Sequence, residues 1–387
     1  VKKFWFQADS GKISMANRAF LAANRLLYER IARPLIFRGS AQRAHEQILK
    51  LLRWLDQQDS LQSVLEKFHH AAFDPCPVSV GGVELASPLM LAAGFVKGAG
   101  FDSEEAALAA VQRGENIMPG WRSMPHLVGA VEFGSFTRWP RLGNPGNVIW
   151  RDVRTRSTQN RVGLKNPGAR AAAAFLKLHK NQLPPVFGIN IAVSPGISDP
   201  TQEQRDVLEA LDFFIRDSIY PSWLTLNISC PNTEDDPGGH QTEERTHLLC
   251  RAVVAHLPQT IPLWVKISPD LAPEQYDILM RVFVETGARA VIATNTIPEA
   301  ASGDTHLTAG VGGGKLHETA TAVVARLMRE KSQNSYTVDI IGCGGIQDAN
   351  TYRDFTELGV VAVQYWTALV YRGPLAAALI LNEVNDD

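Results

Sequence analysis

The sequence predicts an α/β protein, a (β/α)8 TIM barrel with an N-terminal helical extension, and three observations predict it. After His70 the chain alternates short continuous apolar runs with helical segments, the pattern of buried parallel strands and their crossover helices. The apolar runs number eight, which selects a closed barrel over an open doubly wound sheet. From about Ala16 to His70 the texture is helical, with good helix formers and apolar residues at three-to-four spacing.

The boundaries follow from that change of texture: a helical extension over residues 1–72 and the barrel over 73–387. Within the extension Leu27, Ile31 and Leu35, then Ile48, Leu51, Leu52 and Leu55, mark one face of each helix. Pro34 and the Arg38-Gly39-Ser40 step break the pattern into at least two helices, with Ser40 the N-cap of the second. Two readings of this segment stand side by side. It is a helical hairpin packed on the barrel, or a basic amphipathic helix lying in a membrane interface. For the second, Arg18, Arg25, Arg30 and Arg33 are interleaved with Phe20, Leu21, Leu26, Leu27, Ile31, Leu35, Ile36 and Phe37.

The barrel strands are predicted at Met90–Ala93, Val131–Gly134, Val186–Ile191 and Leu224–Ile228. They continue at Leu263–Ile267, Ala290–Thr294, Asp339–Gly342 and Val361–Gln364. Ala169–His179, Gln204–Ile219, Glu243–His256, Pro273–Glu285 and Thr319–Lys331 supply helices between them. Gly143–Thr158 and Ile297–Gly314 are polar and read as long loops leaving the barrel, of the kind that carries function.

Bulk composition narrows the function classes. With 45% hydrophobic and 20% charged residues the chain is an ordinary folded enzyme rather than a disordered one. A formal net charge of -2 gives no global reason to expect nucleic acid. The four cysteines, Cys76, Cys230, Cys250 and Cys343, form no C-x-x-C pair or His/Cys cluster, so no metal site is expected. No run approaches the roughly 20 apolar residues of a membrane-spanning helix. Val1–Lys12 is polar and does not read as a signal peptide.

Chemistry is expected at the C-terminal ends of the strands, where this fold builds its sites. Strand one leads into Ala93-Gly94 and Lys97, strand two into Gly134-Ser135, and strand three carries Asn190. Strand four leads from Asn227 to Thr233, strand five ends at Lys266, and strand six at Thr294-Asn295-Thr296. Strand seven gives Cys343-Gly344-Gly345 and strand eight Trp366-Thr367. Asn160, Asn190, Asn227, Asn232 and Asn295 make the site amide-rich and acid-poor, which suits a planar heterocycle bearing amides and carbonyls. Lys97 and Lys266 add positive charge for a carboxylate or for a reduced flavin, or else are surface residues. Lys266 resists the surface reading because it sits inside Leu263-Trp264-Val265-Lys266-Ile267. Gly344-Gly345 can present backbone N–H groups to a phosphate. Cys230, locked by Pro231, is either a buried structural residue or a base whose thiolate neighbouring positive charge favours.

Asn227-Ile228-Ser229-Cys230-Pro231-Asn232-Thr233, with Ala92-Ala93-Gly94-Phe95-Val96-Lys97 and Ala293-Thr294-Asn295-Thr296, closely resembles the dihydroorotate dehydrogenases. The likeness runs from about Leu27 to the C-terminus. It implies bound FMN and oxidation of a dihydropyrimidine, a base taking the C5 proton while the C6 hydride passes to flavin N5. By position, Cys230 matches the base. Asn160, Asn227, Asn232 and Asn295 match the substrate amides, beside Thr233 and Thr296, and Lys97 matches a lysine shared by flavin and substrate. Ala93, Gly94, Ser135, Asn190, Asn227, Lys266, Thr294, Gly314, Gly345, Trp366 and Thr367 match flavin contacts.

Arg43-Ala44-His45-Glu46 with Leu51-Leu52-Arg53 resembles the extension of class 2, membrane-associated, quinone-reducing members, and His45 and Arg151 match polar residues of their quinone tunnel. The resemblance thus implies a quinone acceptor and peripheral attachment, at the cytoplasmic face of a bacterial inner membrane or at an organellar inner membrane; otherwise the chain is cytoplasmic. Cysteine as the base is the class 1 choice, however, and Asn160-Arg161-Val162-Gly163-Leu164-Lys165-Asn166-Pro167-Gly168 also leans that way. Gly310-Val311-Gly312-Gly313-Gly314 replaces the usual Gly-Gly-Leu-Ser-Gly, and Trp366 replaces a common tyrosine. The stretch after Thr233, Glu234-Asp235-Asp236, is more acidic than the family's usual sequence. Three functions are therefore weighed: dihydroorotate oxidation feeding a quinone; the same chemistry on a related cyclic amide, run forward or as a reductase; and a flavin-binding membrane-surface protein without turnover.

Overall fold

The computed structural model describes residues 15–229 and 241–386. Eight parallel strands close into a barrel in sequential order. They are β1 (Leu89–Leu91), β2 (Ala130–Phe136), β3 (Phe187–Ala192), β4 (Trp223–Asn227), β5 (Leu263–Ile267), β6 (Ala290–Ala293), β7 (Asp339–Cys343) and β8 (Val363–Tyr365). Closure is made where β8 pairs with β1 in the register Val363↔Leu89. All eight predicted strands are present, within two residues at either end. The crossover helices include Ala169–Leu178, Pro200–Arg216, Glu243–His256, Pro273–Thr286 and Gly314–Asn334. Their buried faces pack on the outside of the strands through residues such as Phe175, Phe214, Val253, Phe283 and Leu327.

The N-terminal end of the barrel is plugged. A hairpin, Val78–Val80 paired with Val83–Leu85, turns at Gly81-Gly82, both with positive φ. Gly81 is fixed from two sides: its N–H donates to Asp339 Oδ2 (2.8 Å), and its carbonyl accepts from Trp264 Nε1 (3.1 Å). A side chain at position 81 would strike the Trp264 indole. Trp264 stacks on Trp223, ring centroids 4.5 Å apart, and these two fill the barrel with Met90, Ile292 and Ile341. The opposite, C-terminal end is left for chemistry.

There the two polar excursions do not form loops. Ile297–Ala301, Asp304–Gly313, Ser157–Asn160 and Ile149–Asp152 build a four-stranded antiparallel sheet, in that order. Its central register, Gly310↔Asn160 through Gly313↔Ser157, carries Thr158, Gln159 and Asn160 to the barrel mouth. These strands lack an apolar alternation because their pairing is made by backbone, and several positions are glycine.

The extension contains α1 (Met15–Leu27), α2 (Arg33–Phe37), α3 (Ala41–Leu55) and α4 (Asp59–Ala72). Pro34 does not break the first helix as expected. A π-turn over Tyr28–Ala32 joins α1 to α2, with helical backbone on both sides. The wider turn accommodates a proline that lacks an N–H and would crowd the carbonyl four residues back. The break falls at Arg38-Gly39-Ser40, and Ser40 caps α3 by accepting from Arg43 N–H. Leu21 and Ala72 pack against Leu375, Ala378 and Leu379 of the C-terminal segment. Asp56, just after α3, is buried against the turn between the helices Glu104–Gln112 and Met124–Val128, where it accepts from Asn116 Nδ2 (2.8 Å), Gly120 N–H (2.7 Å) and Ser123 N–H (3.0 Å). Leu26, Leu27, Ile31, Leu35, Leu51 and Trp54 are exposed on this extension. Among the described residues no helix is long and apolar enough to cross a membrane.

Candidate active site

A cavity open at its mouth occupies the C-terminal end of the barrel. The loop after β1 brings Ala93, Gly94 and Lys97 to it, and the end of β2 brings Ser135. The antiparallel sheet brings Asn160, and the ends of β4 and β5 bring Asn227 and Lys266. Thr294, Asn295 and Thr296 follow β6, Gly345 follows β7, and Trp366 and Thr367 follow β8. His45 reaches the same cavity from α3.

The amides are held in fixed orientations. Asn227 Nδ2 donates to Ser135 Oγ (3.2 Å), and its Oδ1 accepts from both the N–H and the Oγ of Ser229. Asn295 Nδ2 donates to the Ser229 carbonyl (2.8 Å), and its Oδ1 accepts from Thr296 N–H (2.9 Å). Ser229 thus ties the β4 and β6 ends together. Sequence reasoning passed over it, although its place between Asn227 and Cys230 was a signal. Thr158 and Thr367 meet through their hydroxyls at 2.8 Å, joining the antiparallel sheet to β8.

Some expected residues lie elsewhere. Asn190 is fully buried below the cavity, where its Nδ2 donates to Glu132. Gly314 begins a helix beside the site, while its neighbours Gly312 and Gly313 line the cavity. Arg151, matched to the quinone tunnel, does not line this cavity: its guanidinium lies 4.1 Å over the Phe37 ring and donates to Gly39 O (2.5 Å), bracing the α2–α3 turn. Cys230, Asn232 and Thr233 lie outside the described residues, as does the acidic stretch after them. Sequence reasoning also missed Gln364 and Glu132. Glu132 is 0% exposed inside the barrel, one layer below a cavity whose described lining carries no carboxylate.

The lining is cationic. Lys97 and Lys266 face it, and burial with the nearby Lys97 charge holds His45 down at about 4. The imidazole is therefore neutral near pH 7, with its ring 6.1 Å from Phe95 and 6.5 Å from Trp366. Burial pushes the Cys343 thiol up, opposed by Lys266.

The residues present fit a flavin mononucleotide. Asn190 Oδ1, buried just below the cavity lining, has no partner among the described residues. Lys266 supplies charge on the cavity floor. Gly344 and Gly345, both with positive φ, let the backbone close on the Gly314–Asn334 helix: a Cβ at 345 would lie 2.5 Å from His317 Cβ and 2.8 Å from Gly313 O. Such turns after the seventh and eighth strands commonly hold a phosphate.

A closed parallel barrel with amides, two lysines and a glycine turn at its C-terminal mouth defines a flavoprotein oxidoreductase class. The dihydroorotate dehydrogenase family model matches residues 76–387, and the chain belongs to that family. A dihydroorotate dehydrogenase (quinone) of Anaeromyxobacter sp. (strain K) is 32% identical over 81% of this chain and 88% of its own length. One from Bordetella avium is 31% identical, covering 89% of this chain and 93% of its own. Among solved structures, ligand-free DHODH from Eimeria tenella has a TM-score of 0.70 at 23% identity, covering 88% of this chain and 93% of that one, a likeness of fold alone.

Proposed function

We propose that this chain binds FMN at the barrel mouth, oxidises dihydroorotate there and passes the electrons to a quinone. The observation that carries the reading is the convergence of Asn160, Asn227 and Asn295 with Lys97 and Lys266 on one cavity free of carboxylates among its described lining. The amides present donors and acceptors to the ring carbonyls and N–H groups of a dihydropyrimidine, and Lys97 balances its carboxylate. Cys230, three residues beyond Asn227 at the end of β4, is the base: its thiolate takes the proton from C5 as the hydride leaves C6, completing the ring double bond. Bound FMN supplies the hydride acceptor. Asn232 and Thr233 adjoin the base in sequence and complete the substrate contacts in this reading.

The extension carries the second half of the reaction. His45 faces the cavity from α3, and its neutral imidazole both donates and accepts, as a quinone carbonyl and its reduced hydroxyl require. Arg151 acts by holding the α2–α3 turn. The exposed Leu26, Leu27, Ile31, Leu35, Leu51 and Trp54 sit in the lipid interface and attach residues 1–72 peripherally, while residues 73–387 form the FMN domain. The acidic Glu234-Asp235-Asp236 favours a second reading, in which a neutral cyclic amide takes the place of anionic dihydroorotate.

Anaerobic mixing decides between them. Dihydroorotate should bleach the flavin absorbance, and Cys230→Ala should retain FMN but lose that bleaching. Fast bleaching in Cys230→Ala places the base elsewhere. A flavin left oxidised by dihydroorotate and bleached by an uncharged cyclic amide selects the second reading.

A further inference from the structure

The barrel interior just below the cavity is polar where layers of branched apolar side chains are usual. Its centre is Glu132, on β2. Oε1 accepts from Asn190 Nδ2 (2.7 Å) on β3. Oε2 accepts from Trp223 Nε1 (2.9 Å) and Thr225 Oγ1 (2.7 Å) on β4, and from Gln364 Nε2 (3.1 Å) on β8. Four donors converge on one side chain, three of them on Oε2.

Gln364 is used at both ends of its amide. While Nε2 donates to Glu132, Oε1 accepts from Lys266 Nζ (3.2 Å) on β5. Lys266 also donates to Cys343 Sγ (3.6 Å) on β7. An ammonium has three N–H groups, and these two acceptors are both neutral and both at the long end of hydrogen-bond range. The buried anion and the buried cation are therefore joined through one amide rather than in direct contact. A direct pair would hold the ammonium down in the barrel core and spend its field on the carboxylate. The glutamine spacer holds Lys266 at the cavity floor, with the countercharge a fixed step behind it.

We propose that Glu132 is a positioning residue for electron transfer: through Gln364 it fixes Lys266 beneath the flavin and moderates that lysine's charge, so that the Glu132–Gln364–Lys266 chain sets the reduction potential of the bound cofactor. This inference rests on the FMN reading above. The reduced flavin gains negative charge, so an uncompensated cation beneath it favours the reduced form. Removing the Glu132 charge with its shape kept should thus make the flavin easier to reduce.

The test uses the full-length FMN-loaded protein and reads equilibrium rather than turnover. Midpoint potentials are measured anaerobically against redox dyes, and sulfite affinity of the oxidised flavin provides a second reading of positive charge near the ring. Glu132→Gln should favour reduction about tenfold, or about 30 mV for a two-electron couple, and tighten sulfite binding in step. Glu132→Asp, which retains the charge, should return both towards wild type. In a Lys266→Met background Glu132→Gln should have at most a small effect, because the carboxylate acts through the lysine. Unchanged potential and sulfite affinity in Glu132→Gln overturn the inference. So does an equal shift with and without Lys266, which would show the carboxylate acting directly.

If Glu132→Gln does not accumulate as folded flavoprotein, Gln364→Leu cuts the same chain and leaves three donors on Glu132. It must move the potential by a comparable amount, and an unmoved potential again overturns the inference. A wild-type protein that takes up no FMN defeats the FMN reading itself, an outcome distinct from all of these.

Discussion

Asp56→Ala tests how the extension is fastened to the barrel. Asp56 is 3% exposed, and its carboxylate gathers Asn116 Nδ2, Gly120 N–H, Ser123 N–H and, at very short range, Ser123 Oγ. Arg122 adds a bond to the Asp56 carbonyl and an ion pair with Asp59 (2.6 Å), and that pair is largely exposed on the Asp59 side. The exposed pair contributes little. The carboxylate contributes more, since hydrogen bonds to a charged group are each worth roughly 1.5–3 kcal/mol and their loss strands buried donors. The bonds are not additive and water re-enters in part, so the expected cost is about 3–5 kcal/mol. At about 2 °C per kcal/mol for a chain of this size, the melting temperature falls by about 6–10 °C. Asp56→Asn keeps the shape but turns an N–H2 towards donors, and should cost about 2 kcal/mol. Hydrogen exchange localises the effect: α3 and α4 should lose protection first while the barrel strands keep theirs. A loss below about 1 kcal/mol in Asp56→Ala, or loosening that begins in the barrel, refutes the view that this carboxylate fastens the extension.

Three further outcomes are expected. Burial holds His45 and His69 at about 4, below the ordinary 6.5, so the unfolded chain binds more protons between these values and stability should fall as pH drops from 6.5 towards 4. Thermal melts of wild type and His69→Phe across that range check it; identical pH slopes would assign the loss to other groups. Replacing Leu27, Ile31 and Leu35 together with Ser should release the full-length protein from anionic liposomes while leaving flavin reduction by substrate intact, and undiminished binding in sedimentation would remove this face as the anchor. Gly345→Ala places a Cβ against His317 and Gly313 O at positive φ, and should weaken FMN binding at least tenfold by fluorescence titration; unchanged affinity would show that this turn does not close on the phosphate.

The strand–helix alternation was legible because parallel barrel strands, wrapped by helices, must be apolar on their outward faces, and all eight runs register that requirement. The strand ends were legible for a related reason: side chains at the C-terminal mouth escape the core, so Asn227, Thr294 and Asn295 interrupt the apolar pattern where the site is. The antiparallel sheet at the mouth was not legible, because Gly310, Gly312 and Gly313 pair by backbone and leave no hydrophobic period to read. The contact that holds Arg151 over Phe37 was not legible, because it depends on how Pro34 is absorbed by a π-turn, which no local spacing announces. Glu132 is the instructive omission. Lys266 was noticed because Leu263-Trp264-Val265 and Ile267 surround it with apolar residues, yet Val131-Glu132-Phe133 sends the same message. As a short apolar–charged–apolar alternation it resembles a half-exposed strand, in which the charge points to water. A closed barrel has no wet face on its interior side, so the charge points inward and must find donors there. The same reasoning applied to β2 and β5 together asks for a buried anion and a buried cation across one barrel, and the amide of Gln364, itself hidden in the apolar run of β8, is what the interior places between them.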